Sequence, residues 1–344
     1  MPATAQSALL ASHAPRAVTR IDVHAHFLPD FYRQALIEAG ESQPDGIHAL
    51  PQWDEESALR TMDALGVRTA LLSISSPGVH FGEDARAADL ARRCNNEGAR
   101  LRQAHPTRFG HFASLPLPDV EASVREAIRA LDELGADGVV LETNSGGLYL
   151  GDPRLEPLYT ELDRRAAVIF IHPTSPVCAC CTRLSAAYPQ PMVEFMFETT
   201  RSVSDMVLSG VLDRFPSLKA IVPHAGAALP ALSERIELLL PMLGKVGAPK
   251  PPSIIQALRG LHFDLAGAPV PHLLDTLLSV ADPGRLHYGS DYPFTSAPIC
   301  DALARKLEET PALSEALREQ IWRGNAAALF PRLADPTEPN HLAP

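Results

Sequence analysis

Three observations predict an α/β chain folded as a (β/α)8 barrel. Short β-branched or apolar runs recur along it, each followed by a longer stretch of helical period. Histidines and a carboxylate stand at the C-terminal ends of several runs, the end at which such barrels build their sites. No run is followed by the Gly-rich dinucleotide fingerprint, which sets the open doubly wound sheet aside.

In chain order the strands are expected at Ile21–His26, Arg68–Ser73, Phe109–Ser114, Gly138–Leu141, Ala167–His172, Ala220–His224, His262–Leu265 and Leu286–Gly289. Helical patterns fall between them at Trp53–Leu65, Ala85–His105, Asp119–Leu134, Leu155–Arg165, Ser202–Arg214 and Pro271–Val280, with Glu315–Phe330 as a closing helix. Residues 1–20, rich in Ala, Ser and Thr, read as a flexible leader. Their apolar piece Ala8–Ala11 is too short for a signal-peptide core. The barrel domain is placed at 21–332 and a C-terminal tail at 333–344. One segment breaks the rhythm: Pro173–Pro191 is a long loop after the fifth strand, and loops of that length in compact domains are usually functional.

Composition narrows the function. Among 344 residues, 30 are Lys or Arg and 41 are Asp or Glu, so the net charge of −11 disfavours a nucleic-acid partner. No stretch approaches the roughly 18 apolar residues that would span a membrane. The odd count of five cysteines does not suggest a disulfide framework, and a cytoplasmic location is expected. Cys178-Ala-Cys180-Cys181 has one C-x-x-C spacing but no second pair, so it reads as loop thiols.

The chemistry concentrates at strand ends. His24 and His26 are two apart on the first strand, so both imidazoles share one face and can bind one metal. Asp22 shares that face and is a candidate to orient a ligand histidine. His172 closes an apolar fifth strand, His224 the sixth, and Asp291 follows the eighth. Singly, each could be an ordinary buried side chain. Together they converge on one barrel mouth, where three histidines and a carboxylate suit one divalent ion, Zn2+ first by ligand type and Mn2+ as the alternative. One histidine then remains for acid–base work. His80 and Phe81, after the second strand, are candidates to line the mouth. Asp264 is a candidate to support a ligand from behind, and Glu198 and Arg201 read as a local ion pair.

On these residues the chain resembles the amidohydrolase superfamily, in the branch holding aminocarboxymuconate-semialdehyde decarboxylase and the hydroxybenzoate decarboxylases. The match rests on His24-Ala-His26, His172, His224 and Gly289-Ser-Asp291-Tyr-Pro, with Trp53-Asp54 and Met62-Asp63-Ala-Leu-Gly-Val in support. Ser73–Gly82 and His172-Pro-Thr-Ser-Pro are most similar to the 6-methylsalicylate decarboxylase type. The resemblance implies His24, His26, His172 and Asp291 as metal ligands, His224 as the acid–base residue, a substrate contact at Trp53, and a homodimer.

Two departures sharpen the expectation. The two-metal enzymes of the superfamily carry a bridging lysine on the fourth strand, but here that strand reads Gly138-Val-Val-Leu-Glu142 and no lysine precedes Lys219. One metal is therefore expected. The muconate enzymes imply an arginine shortly before the Trp-Asp pair, whereas this chain has Gly46-Ile-His48-Ala-Leu-Pro-Gln. The expected activity is thus decarboxylation of a small hydroxybenzoate-type acid, with the proton delivered by Asp291 or His224. A lactone or amide hydrolase, a hydratase and a silent acid-binding barrel are the alternatives.

Overall fold

The computed structural model describes residues 19–178, 188–243 and 252–334. Its barrel strands are β1 (Arg20–His26), β2 (Val67–Ser73), β3 (Phe109–Ser114), β4 (Gly138–Glu142), β5 (Val168–His172), β6 (Lys219–Val222), β7 (His262–Asp264) and β8 (Leu286–His287). Each pairs in parallel with its sequence neighbour. The ring closes through parallel bridges Asp22–Tyr288 and Ala25–Tyr292. There the Val23 N–H donates to the Tyr288 carbonyl at 3.0 Å and the His26 N–H to the Tyr292 carbonyl at 2.7 Å. Closure removes the open edges that a sheet of this size would otherwise expose.

Strand alternation divides the core in two. Leu71, Val140 and Phe170 point inward, where they join Ile21, Val23, Phe112 and Ile221 beneath the barrel mouth. Their neighbours Ala70, Leu72, Val139, Leu141, Ile169 and Ile171 face outward under the helices. The helix Asp84–Ala104 answers them with Leu90, Ala91, Cys94 and Leu101, spaced to form one apolar stripe. Leu329 and Phe330, from the closing helical segment, plug the barrel floor.

β1 departs from strict alternation. Ile21 and Val23 belong to the inner cluster, yet the His24 ring also lies 4.9 Å from the inward Phe170 ring. A period of two cannot place Val23 and His24 on the same face. The register of β1 against β2 shifts between Asp22 and Ala25, and that irregularity turns His24 and His26 into the mouth.

The helices differ from expectation in three places. The helix expected at Ser202 begins at Glu194 and runs to Leu208; the exposed Phe197 breaks the apolar period of its first turns and hides them in the sequence. A separate turn of helix, Val211–Arg214, follows Gly210, whose φ of 77° ends the first. The closing helix is interrupted by a π turn at Gln320–Gly324. Helices at Asp30–Glu38, Leu229–Leu243, Ile254–Gly260 and Ala297–Glu309 are additional to the predicted set. Arg20 opens β1 and Leu333 packs into the floor. No helix among the described residues is long and apolar enough to cross a membrane.

Candidate active site

Three imidazoles meet at the mouth. His24 and His26 end β1 and His172 ends β5, with ring centroids 5.0 Å (His24–His26), 4.8 Å (His26–His172) and 5.6 Å (His24–His172) apart. One ligand atom from each lies within 4.8 Å of the others. Asp291 joins them, its Oδ1 3.5 Å from His24 Nε2 and 3.2 Å from His26 Nε2. His224 stands on the other side of that carboxylate, with Nε2 4.0 Å from Asp291 Oδ2.

The outer nitrogens explain the orientation. His24 Nδ1 is 2.9 Å from Asp264 Oδ2, His26 Nδ1 is 3.0 Å from the Ser73 hydroxyl, and His172 Nδ1 is 3.4 Å from Glu142 Oε2. Holding each Nδ1 from behind leaves the three Nε2 atoms to point at one another. Asp22 does not touch a ring. Its Oδ1 accepts the backbone N–H groups of His24 at 3.0 Å and Ser290 at 3.1 Å, tying β1 to the segment after β8.

His224 and Asp291 do not sit in strands. β6 ends at Val222 and His224 opens a short 3-10 turn, while Asp291 lies beyond the end of β8. Their φ values of 55° and 60° are in the left-handed region that costs a side-chain-bearing residue energy. Asp291 is held there by its N–H, which donates to the His24 carbonyl at 2.7 Å, and by the Thr295 hydroxyl, which donates to Oδ2 at 3.1 Å.

Among protein charges alone the cluster is polarised. Burial pulls His24 down, but the Asp264 carboxylate, aided by Asp291 and Asp22, outweighs it and pushes His24 up to about 9. Burial lowers His26 and His172, keeping them in the neutral form a metal ligand requires. Burial also opposes the charge of Asp291, yet the surrounding imidazoles hold its carboxyl well below the usual range. Among the described residues, His24 Nε2 and His26 Nε2 are buried with no hydrogen-bond partner, only the Asp291 carboxylate beside them. Orphaned nitrogens beside a deprotonated carboxylate fit one divalent cation, held by His24, His26, His172 and Asp291.

The cluster opens into a cavity of about 1320 Å³ whose walls include His172, His224, Asp291, Phe195, Phe294 and Ser75. The other expected substrate contacts lie elsewhere. Trp53 packs beside Phe27 at 6.1 Å between ring centroids, and Phe81 packs on the outer core. His80 bonds Asp84 at 2.9 Å and borders a second cavity of about 390 Å³. Glu198 pairs with Arg201 and takes hydrogen bonds from Asn144 at 3.1 Å and Tyr149 at 2.8 Å, a buried structural network. Of the Cys178–Cys181 run only Cys178 is among the described residues, and it is disulfide-bonded where a free thiol was expected. Glu142 behind His172 carries no sequence motif of its own, and Ser73 behind His26 only opens the Ser73–Gly82 stretch; position at the C-terminal ends of β4 and β2 is the signal that finds them.

Residues 21–332 match the model of the amidohydrolase family over nearly the whole chain. The chain belongs to that family. A curated relative, the decarboxylase yanB of Aspergillus niger, is 38% identical over 93% of this chain and 89% of its own length. The 6-methylsalicylic acid decarboxylase of Penicillium expansum is 38% identical over 92% of this chain and 97% of its own. A dihydroxybenzoic acid decarboxylase from Polaromonas sp. JS666, solved with manganese and the inhibitor 2-nitroresorcinol, superposes with a TM-score of 0.78. It is 26% identical, over 92% of this chain and 98% of that one.

Proposed function

We propose that this amidohydrolase is a metal-dependent, non-oxidative decarboxylase of a small hydroxybenzoate of the 6-methylsalicylate type. The observation that carries the reading is the convergence of three imidazole Nε2 atoms and Asp291 beside His224, on the wall of an aromatic-lined cavity. The decarboxylase relatives support the reaction class, carbon–carbon lyase. On β4 the strand end is Glu142, hydrogen-bonded to His172, which supports a single metal.

A divalent ion held by His24, His26, His172 and Asp291 would supply Lewis acidity, withdrawing charge from the substrate's acidic oxygens. The chain's own groups move the proton. His224 delivers it to the ring carbon that bears the carboxylate, or Asp291 does so once its carboxylate has taken a proton from the substrate's phenolic O–H. The carbon–carbon bond then breaks, its electron pair restores aromaticity, and CO2 leaves. Positioned proton transfer supplies a factor of about 10² to 10⁴, so the remaining acceleration falls to the ion and to substrate orientation. Phe195 and Phe294 give the ring apolar walls. The nitrogen-rich donor set puts zinc first, and the manganese of the Polaromonas relative makes manganese the alternative. We further assign a cytoplasmic homodimer, supported by the composition and by the exposed Leu238, Met242 and Leu243 on one helix.

Turnover of 6-methylsalicylate in D2O tests the proposal. Loss of CO2 with one deuterium at the vacated carbon is the expected result. Addition of water to a lactone, amide or unsaturated acid, with no loss of carbon, would replace it with the hydrolase or hydratase reading.

A further inference from the structure

Ser75 follows β2 by two residues, in a turn fixed from both sides. The Gly78 N–H donates to the Ser75 carbonyl at 3.0 Å, and the buried Tyr32 hydroxyl donates to the Gly78 carbonyl at 2.7 Å. Gly78 closes the turn at φ 78°, and a Cβ added there would lie 3.3 Å from Glu142 Cγ. Gly78 thus packs close against the side chain of Glu142, whose carboxylate holds His172 from behind.

The side chain is 7% exposed and lines the cavity that contains His172, His224 and Asp291. Among the described residues its hydroxyl has one hydrogen-bond partner, His172 Nε2 at 3.4 Å. That nitrogen is the atom turned toward His24 and His26, the one whose lone pair a metal takes. Once His172 serves as a ligand it cannot also accept from Ser75. A buried hydroxyl at the wall is then left with a proton to donate, next to the ion and facing the substrate space. An unmade bond at such a position costs free energy, and a substrate oxygen is the acceptor that removes the cost.

We propose that Ser75 donates a hydrogen bond to the carboxylate of the metal-held aromatic acid, so that it recognises the group about to be lost. The inference rests on the decarboxylase reading and deepens it. It differs from a merely structural role because the contact exists only while the carboxylate is present. The product phenol has no oxygen there, and its affinity is independent of Ser75.

The test uses metal-loaded full-length chain and two non-reacting ligands, measured by titration calorimetry with metal content determined in parallel. In 3-methyl-2-nitrophenol a nitro group stands where 6-methylsalicylate has its carboxylate; 3-methylphenol lacks it. For Ser75→Ala the expected result is roughly ten-fold weaker binding of the nitro compound, the size of one lost hydrogen bond to an anionic ligand. Metal content and 3-methylphenol binding stay at the wild-type level, and Ser75→Thr restores the nitro affinity. Equal nitro affinity in wild type and Ser75→Ala, or loss of metal in Ser75→Ala, would overturn the role of Ser75. Decarboxylation by the wild type is assayed alongside: if it persists, the parent reading stands without Ser75, and if the wild type neither binds the nitro compound nor releases CO2, both readings fall together.

Discussion

Asp264 bridges the two halves of the site: its Oδ2 lies 2.9 Å from His24 Nδ1, and its Oδ1 accepts the His224 backbone N–H at 3.0 Å. One fully buried carboxylate at the end of β7 therefore sets the angle of a ligand ring on β1 and the place of the acid–base residue after β6. Asp264→Asn keeps the shape but removes the charge that pushes His24 up. Metal affinity is expected to fall about 10- to 100-fold, the usual cost of losing such a supporting contact. Competitive chelator titration reads it, and unchanged affinity would show that Ser73 and Glu142 suffice to orient the ligands.

The ligands and the acid–base residue separate by what each loss removes. His24→Ala and His172→Ala are expected to lose bound metal and turnover together, because each takes one of the converging nitrogens. His224→Asn is expected to keep its metal and lose turnover by about 10² to 10⁴. Elemental analysis beside a CO2-release assay distinguishes the two classes. A fully active His224→Asn would end its proposed role.

Much of this was legible because strand periodicity speaks directly about side-chain direction. Two histidines spaced by one residue, and a histidine or aspartate after an apolar run, announce themselves whatever surrounds them. The supports behind them show less. Asp264 stands out as a candidate support from its place on the seventh strand, but it meets His24 across 240 positions of chain, and nothing local to either residue names the partner. The register shift in β1 is equally silent, being a property of two strands in contact. Loop residues fared differently from strand ends. His80 and Phe81 follow β2 closely in sequence, yet the turn there sends Ser75 inward and His80 toward Asp84.

Acid is expected to destabilise the fold through histidines outside the site. Burial lowers His111 to about 4, and neither ring nitrogen has a hydrogen-bond partner among the described residues. Burial also lowers His262 to about 4, where it contacts His287 at 2.9 Å. In the unfolded chain each binds a proton near pH 6.5, so between pH 6.5 and 4 the unfolded state holds more protons and stability falls as pH falls. The contribution of His111, present above pH 6.5, is about 3 kcal/mol and is gone below 4. Urea unfolding from pH 7.5 to 4 should show that slope, and His111→Leu should flatten it relative to wild type. An identical slope in the variant would place the acid sensitivity elsewhere.

Gly289 gives the motif before Asp291 a physical reason. A Cβ at that position would stand 2.8 Å from the Cβ of His24, 3.2 Å from that of Ala266 and 3.3 Å from that of Asp264. These are the roots of side chains, which cannot swing aside as a flexible tip does, so β8 or β1 itself must move. His24 and Asp264 are the two partners of the hydrogen bond that aims a ligand nitrogen, and both would be displaced at once. Gly289→Ala is therefore expected to lower metal affinity at least as far as Asp264→Asn, with a stability loss of about 1 to 3 kcal/mol from overpacking. Chelator titration and thermal unfolding of the metal-free protein separate the two effects. Wild-type metal affinity in Gly289→Ala would mean that the strands have slack at this level, and the orientation of His24 would then rest on Asp264 alone.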